Sequence, residues 1–342
     1  MLVLSLGSPL CAAQAEPSGA EGAQAVVPEN RELIAWGWNN EPVRYRLVRT
    51  TEDAIPVPGK DPVTKQTLGR TVRHELVSES GEAPARIRLT WESIRYEQDD
   101  SLNEPLRYDS TKEHHWTRTR NPIIGSVASS LDTSLVLVMD PDGTLRAVGE
   151  LDTYLRGIEK NLTMWGLARD DTYEQLQMVY TEDALLTSSA GTYRFLPKET
   201  MSVGDSYEVS RPFSLAHVRT LESVETHTLE SVDIDDEGHR IARFTIAGTL
   251  RWPDPGGLAD QVFNVSLDKE TLEGSWSFDI DRGRVLDYRL EASFLADIVR
   301  YDPRDRSSTE MSTRQTVLDT MELLNAEEES AVPAGAVVPS DP

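Results

Sequence analysis

The feature that most constrains the fold of this chain is a two-residue alternation of apolar and polar side chains. It is regular in the stretches RFTIAGTLRW, LDYRLEASF and ARIRLTW, which begin at Arg243, Leu286 and Ala85. Successive side chains of a β-strand point to opposite faces, so each stretch predicts a strand with one buried and one solvated face. Shorter runs predict further strands at residues 43–48, 71–77, 207–209, 228–234 and 263–267.

The same pattern predicts how these strands bend and connect. Ile94 and Tyr96 fall out of phase with Trp91, which indicates a β-bulge near Glu92 or Ser93 and a bend in the sheet. The turns DIDDEGH and DIDRGR each join two alternating stretches. Because these connections are too short for a crossover, the strands that they join are predicted to pair antiparallel.

Near the middle of the chain the alternation gives way to apolar residues three or four positions apart, which form one face of a helix. This predicted apolar face consists of Leu151, Tyr154, Leu155, Ile158, Leu162 and Trp165. A second helix is predicted from Asp171. Its carboxylate would cap the first helical amides while the Glu174 side chain bonds to the backbone amide of Asp171. The apolar side of the second helix would hold Tyr173, Leu176 and Tyr180.

Together these patterns predict a mainly β protein of the α+β class. We expect one or more bent antiparallel sheets built from hairpins, with a helical insert near the middle that packs on the sheet. A first β-rich half is predicted at residues 31–195, ending in the helical insert, and a second at residues 196–324. The pattern leaves open whether the halves form one sheet or two domains.

The two ends of the chain have different compositions from the rest. Residues 1–15 are predicted to be a signal peptide, since an apolar start leads to the small-x-small sequence Ala13-Gln14-Ala15, although no basic residue precedes the apolar run. Residues 16–30 predict a flexible lead-in, and residues 325–342 a disordered acidic tail. The expected location is therefore the periplasm or the extracellular space.

Charge and cysteine content exclude several classes of partner and bond. The chain carries 34 basic and 58 acidic residues, for a formal net charge of −24, which disfavours binding to nucleic acid. Cys11 is the only cysteine and lies inside the predicted signal, so the mature chain would have no disulfide. No apolar run after the signal is long enough to predict a transmembrane segment.

The acidic and histidine motifs favour turns over metal sites. DPDG, which begins at Asp140, suits a type I turn, and no further oxygen ligand follows it in register. DIDDEG begins like a calcium loop at Asp233, but Phe244 occupies the twelfth position, where that loop needs an acid. His114 and His115 would point to opposite faces of a strand. We therefore predict no metal and no cofactor.

No catalytic motif is present either. The sequence has no Gly-x-Ser-x-Gly elbow, no phosphate loop and no dinucleotide fingerprint, so no catalytic residue is predicted. Five arginines should share the solvated face of the first strands: Arg44, Arg46, Arg73, Arg86 and Arg88. They are expected to pair across strands with residues such as Glu75 and Glu92, and the alternative is a local anion site.

Several short stretches resemble a known family. They are VRYRLVRTTE, IRLTWESIRYEQ with LRYDST, VLVMDPDGTLRAVGELDTYL, FLPKETMSVGDSYEV and GSWSFDIDRGRVLDYRLE. Their order resembles an uncharacterised family of exported bacterial proteins, a domain of unknown function, over residues 44–298. Tyr207 departs from the Trp that such proteins often carry. The resemblance implies export and a β-rich fold that is not obviously enzymatic, and it transfers no functional residue.

The sequence leaves three alternative hypotheses for the function. The first is a non-catalytic exported protein that binds an apolar small molecule or an envelope protein, with the predicted apolar helix face as the ligand-binding surface. The second is a structural or interaction module at the cell surface with a filled core. The third is an enzyme whose residues come from distant strands, which predicts a polar pocket holding a histidine or acid with a shifted pKa.

Overall fold

The computed structural model describes residues 31–39, 41–54, 63–78, 84–101, 103–112, 121–214, 220–251, 263–302 and 307–325. The predicted signal peptide and lead-in, the acidic tail beyond Asn325, and the pair His114–His115 lie outside these residues.

Strands dominate the described part of the chain, and the helices cluster near its middle. In chain order the elements are β1 (Val43–Ala54), β2 (Val63–Leu76), β3 (Ala85–Asp100), β4 (Asn103–Asp109), α1 (Pro122–Ala128), β5 (Ser134–Met139), β6 (Leu145–Gly149), α2 (Leu151–Met164), α3 (Thr172–Val179), α4 (Glu182–Tyr193), β7 (Ser206–Ser214), β8 (Thr220–Ile234), β9 (Arg240–Arg251), β10 (Phe263–Asp279), β11 (Arg284–Asp302) and β12 (Ser307–Leu323). Among these helices, none is long and apolar enough to cross a membrane.

All twelve described strands belong to one antiparallel sheet. Their order is β6-β5-β3-β2-β1-β12-β11-β10-β9-β8-β7, and β4 pairs with the free part of β3. Because β1 pairs with both β2 and β12, strands from both predicted halves share the same sheet. The predicted fold class, a mainly β protein with a bent antiparallel sheet and a helical insert near the middle, is confirmed.

The predicted bulge and hairpins are also confirmed. Thr71 pairs with Ser93 but Val72 pairs with Trp91, which leaves Glu92 as the extra residue of β3. The extra residue returns the apolar positions after it to the buried face, where Ile94 is only 1% exposed. DIDDEGH joins β8 to β9 and DIDRGR joins β10 to β11, both as antiparallel hairpins.

The sheet is strongly curved. Helix α4 contacts both β6 and β7, which lie at opposite ends of the strand order. In a flat sheet, ten steps of ~4.8 Å would separate these strands by roughly 48 Å. The 12 residues of α4 span only about 18 Å. The sheet therefore bends around a concave face, and α4 bridges its two edges.

Most of the concave face is covered by packed apolar side chains. At one end, α2 lies against β5 with Leu155 and Ile158 buried. At the other, Phe195 packs edge-on to Trp276, whose indole stacks on Phe244 with ring centroids 4.0 Å apart. A smaller cluster covers the far part of β3: Ile94, Tyr96, Tyr108, Ile124, Ala128 and Trp165.

The convex face is solvated and carries the predicted arginine pairs. Arg44 donates to the Glu92 carboxylate across 2.7 Å, and Arg73 approaches the same carboxylate at 3.3 Å. Arg88 pairs with Glu150 at 3.3 Å. Pairing across strands is confirmed for Arg44 and Arg73, which share the carboxylate of the Glu92 bulge. Glu150, the partner of Arg88, lies directly before α2 and not on a strand.

One local prediction about the second helix is wrong. Helix α3 begins directly after Asp171, as expected, but the Asp171 carboxylate makes no capping bond to the helix backbone. Asp171 has φ −103° and ψ 12°, instead of the extended conformation that aims a capping side chain at the first amides. Its carboxylate instead accepts a bond of 2.6 Å from the side chain of Gln175.

Candidate functional site

A cavity of about 680 Å³ lies beneath α4, above the central strands β2, β1, β12 and β11. Strands β7 and β8, which reach the same space through the curvature of the sheet, form its far wall. Its principal lining residues are Leu47, Arg49, Leu68, Arg70, Ala184, Ser188, Gly191, Arg211, Phe213, Ser223, Glu225, Tyr288, Leu290, Asp319 and Met321. The space is large enough for one small organic molecule.

The composition of α4 explains why the space beneath it is not filled. Thr181 caps the helix, and its hydroxyl accepts a bond of 3.2 Å from the amide of Ala184. The helix turns small side chains toward the cavity, among them Ala184, Ser188 and Gly191. Its buried side chains are those of Leu185 and Tyr193. The helix therefore packs against the concave face near its own two ends, through Leu185 and Tyr193, and leaves a space between these two contacts.

The floor of the cavity is largely apolar. Leu47 of β1 pairs with Met321 of β12, which in turn pairs with Tyr288 of β11, so these side chains form one row across three strands. Leu290 and Met321 are buried, and Phe213 closes the side formed by β7. These side chains provide a surface on which an aliphatic or aromatic ligand can lie.

A buried charged network forms the polar end of the cavity. Arg211 of β7 binds the carboxylate of Glu225 through two nitrogens, at 3.2 Å and 2.5 Å. It also donates to the Tyr288 hydroxyl and to the Gly191 carbonyl of α4, each at 2.5 Å. Burial opposes the charge of Arg211, but Tyr288 and Glu225 outweigh it and raise the pKa of the guanidinium. Arg211 thus ties the roof to the sheet.

Glu225 lies at the centre of this network. Besides Arg211, its carboxylate accepts bonds from the Ser223 hydroxyl at 2.6 Å and from the His227 ring at 3.0 Å. Burial raises the pKa of Glu225, but Arg211, His227 and Ser223 outweigh it and bring the pKa to about 2. The carboxylate is therefore charged at neutral pH, and its lone pairs are occupied by donors.

The hydrogen bonds of His227 define its tautomer. The Trp276 indole can only donate, and it lies 3.0 Å from Nδ1, so Nε2 carries the proton that is donated to Glu225. Burial lowers the pKa of His227 and keeps the ring neutral. Neither Glu225 nor His227 has a free lone pair with which to take a proton from a ligand. The network has the shifted acid expected of an enzyme pocket, but its donors and acceptors already bind one another.

The predicted apolar helix face lies beside this site and is packed against the sheet. Tyr154, Leu155 and Ile158 are buried in the main core, with the Tyr154 ring 5.4 Å from Trp91. Leu151 and Leu162 are partly buried against that core, and Trp165 belongs to the smaller cluster. None of the six is among the residues lining the α4 cavity in the described structure. Ligand binding by this face stays a prediction.

Sequence reasoning missed the charged network, although a signal for it was present. Glu225 and His227 share the two-residue phase of Leu221 and Leu229, both of which are fully buried. Residues in the same phase of a strand lie on the same face, so the alternation already placed Glu225 inside. Arg211, the partner of Glu225, has the same two-residue phase on β7 as the buried Phe213.

The acidic motifs behave as turns. The Gly143 amide donates to the Asp140 carbonyl at 2.9 Å, which confirms the predicted turn, and the Asp140 carboxylate pairs with Arg146. The turn borders a polar groove of about 550 Å³ whose lining includes Arg31, Arg194 and Lys198. Within the described ranges, His, Cys, Asp and Glu side chains form no group of three or more that could hold a metal ion.

Comparisons with known proteins find only distant similarities. No family model and no curated protein matches the chain. Lipovitellin, in a structure of lipid–protein interactions, is similar at 8% identity and a TM-score of 0.40, over 87% of this chain. The chain spans only 26% of lipovitellin.

Two further solved structures are similar at lower TM-scores. DynF from the dynemicin biosynthesis pathway of Micromonospora chersina has 7% identity and a TM-score of 0.20, over 91% of this chain and 95% of its own. OccK7 of Pseudomonas aeruginosa has 9% identity and a TM-score of 0.20, over 84% and 99%. With such low values, none of these similarities identifies a function.

Proposed function

We propose that this protein binds one small molecule with an apolar body in the cavity beneath α4, and that it acts as a binding protein without a catalytic step of its own. The observation that carries this proposal is the unfilled space of about 680 Å³ on a concave face that is otherwise packed. Its floor of Leu47, Leu290 and Met321 is apolar, which suits such a ligand.

The geometry of the roof supports the same proposal. Arg211 holds α4 in place through the Gly191 carbonyl, while the side chains of α4 that face the cavity stay small. A helix held at its end and lined by small residues keeps a fixed space open beneath it. Export to the periplasm or the cell exterior, expected from the sequence, belongs to this proposal, and an envelope protein as partner is its alternative.

The proposal is tested with a neutral apolar fluorescent probe, N-phenylnaphthylamine. We expect the probe to bind the full chain with saturable fluorescence and a stoichiometry of one. Ser188→Phe should weaken that binding about tenfold or more, since its ring would occupy space now free beneath α4; about 1.4 kcal/mol of lost binding corresponds to tenfold. Native mass spectrometry of protein from its own host should show one bound molecule.

The matched control is Lys160→Phe, which places the same ring on the exposed side of α2. It should bind the probe like the unaltered protein. Circular dichroism of both variants shows whether they are folded. Equal probe binding by Ser188→Phe and Lys160→Phe, or no saturable binding by the unaltered chain, would refute the proposal and favour an interaction module.

A further inference from the structure

Arg70 is a cation of the cavity without a counter-ion. It lies on β2 directly opposite Leu47 of β1, and both side chains line the space beneath α4. Its Nε is inaccessible to solvent and has no hydrogen-bond partner. In the part of the chain that the structure describes, no carboxylate forms an ion pair with it.

The other charged side chains facing the cavity from the sheet are already paired. Arg49 binds Asp319 of β12 at 2.6 Å, and Arg211 binds Glu225 at 2.5 Å. Asp183 also borders the cavity, but it is exposed in the first turn of α4. Of the three guanidinium groups that line the cavity, Arg70 is therefore the one that no carboxylate of the described residues pairs with.

The surroundings of Arg70 make this unpaired charge unfavourable. Burial and the neighbouring Arg49 lower the pKa of Arg70, although Tyr154 and Tyr180 act in the opposite direction. An arginine nevertheless stays protonated in proteins. The buried Nε of Arg70 is a donor without an acceptor, which destabilises the fold, whereas a bound anion would satisfy it.

The chemistry of a guanidinium defines what would satisfy it. Its planar fork matches the two oxygens of a carboxylate or phosphate, in charge-assisted hydrogen bonds. The apolar floor begins beside it, at Leu47 and Leu68. A ligand that meets both surfaces has an anionic head next to an aliphatic body.

We infer that Arg70 receives the carboxylate or phosphate head of an anionic amphiphile, whose chain lies over Leu47, Leu290 and Met321. This inference rests on the proposed function of the cavity and specifies its ligand class. Arg211 and Arg49 do not compete for the head group, because Glu225 and Asp319 already occupy them.

The test compares lauric acid, lauryl phosphate and lauryl alcohol, which share one chain and differ in the head, by calorimetric titration of the full chain. We expect at least one anion to bind about ten- to hundredfold more tightly than the alcohol, as a charge-assisted hydrogen bond provides. Which anion binds more tightly distinguishes a carboxylate from a phosphate head. Arg70→Met should bind all three compounds with equal affinity.

Two controls keep the result interpretable. Arg46→Met removes an exposed arginine from the convex face of the neighbouring strand and should keep the preference for the anion. Arg70→Lys, which restores the charge, should recover part of it, and circular dichroism verifies that each variant is folded. Equal binding of anion and alcohol by the unaltered chain, or a preference that survives in Arg70→Met, overturns the role of Arg70 and leaves the cavity proposal standing. Binding of none of the three overturns the cavity proposal itself.

Discussion

The concave face has two regions with opposite contents. Under Phe195 it is filled by stacked and edge-on aromatic rings, with Trp276 and Phe278 almost fully buried. Under α4, a few strands away in the same sheet, it holds a cavity and charged side chains. The backbone architecture is the same in both regions. The difference lies in what covers the sheet: large rings in one case, and a helix of small residues in the other.

The comparison indicates that the cavity is a local property of α4 and its neighbours. A loosely packed sheet would leave gaps over its whole concave face, since interiors are normally packed as densely as organic crystals. Here the rings on β9 and β10 reach stacking distance, with Phe244 and Trp276 at 4.0 Å. The two regions should therefore respond differently to substitution.

The largest difference is expected between Trp276→Ala and Leu47→Ala. Removing the indole from the filled region should lower the free energy of unfolding by about 3–5 kcal/mol, because neighbouring rings cannot close the gap. Removing the Leu47 side chain, which already faces open space, should lower it by about 1 kcal/mol. Urea denaturation followed by fluorescence and circular dichroism measures both. Losses of the same size would mean that the two regions are equally packed.

A smaller difference is expected in the response to acid. His74 lies outside the cavity lining, packed against Tyr45 and hydrogen-bonded to the Tyr193 hydroxyl, and burial lowers its pKa from 6.5 to about 3. As the pH falls, the unfolded chain therefore binds a proton at His74 before the folded chain does. The contribution of His74 to the free energy of unfolding is full above pH 6.5 and is lost as the pH drops toward 3. Glu225, at the cavity, loses its contribution only between about pH 4.5 and 2.

Between pH 6.5 and 5, His74 should thus remove about 2 kcal/mol from the free energy of unfolding, at ~1.4 kcal/mol per pH unit. The amide of His74→Gln can still bond the Tyr193 hydroxyl but does not titrate. The free energy of unfolding of this variant should therefore fall less steeply as the pH is lowered. Urea midpoints at a series of pH values provide the measurement. Parallel slopes for the variant and the unaltered protein would show that His74 does not carry the effect.

The smallest effect of a single substitution is expected at Gly191, from the addition of one methyl group. A Cβ at Gly191 of α4 would lie 3.6 Å from the nearest atom, the Pro212 carbonyl oxygen. Gly191→Ala should raise the free energy of unfolding by about 0.5–1 kcal/mol through helix propensity. In the filled half of the sheet, a Cβ at Gly274 would lie 2.3 Å from the Arg289 carbonyl oxygen, so Gly274→Ala should destabilise by about 1–3 kcal/mol. Thermal denaturation of both variants checks the opposite signs.

Alternation in the sequence predicted the elements whose inward positions are apolar. The phase change between Trp91 and Ile94 located the bulge, and β9 and β11 followed their apolar pattern closely. β12 escaped prediction because its inward face includes Gln315 and Asp319 among apolar residues. These polar side chains find partners on β1, which no local pattern reveals.

Helix α4 was missed for a related reason. A helix that covers a packed core shows an apolar stripe, as α2 does. The cavity side of α4 carries Ala184, Ser188 and Gly191, so no stripe forms. The candidate site was unpredictable as a whole, because it is assembled from strands and a helix whose proximity depends on the curvature of the sheet. For two of its residues on β8, Glu225 and His227, the alternation was sufficient to predict that the side chain faces inward.

The pairing of β1 with β12 has a consequence for how the molecule folds. Arg49 and Asp319, which face each other across this pair, are 270 residues apart in the chain. Pairings so distant in sequence make folding slow, because a long loop must close before the contact forms. During synthesis, β1 and β2 are complete long before β12 exists, so the edge of β1 that pairs with β12 stays unpaired until then. We therefore expect the centre of the sheet, and with it the floor of the cavity, to assemble last.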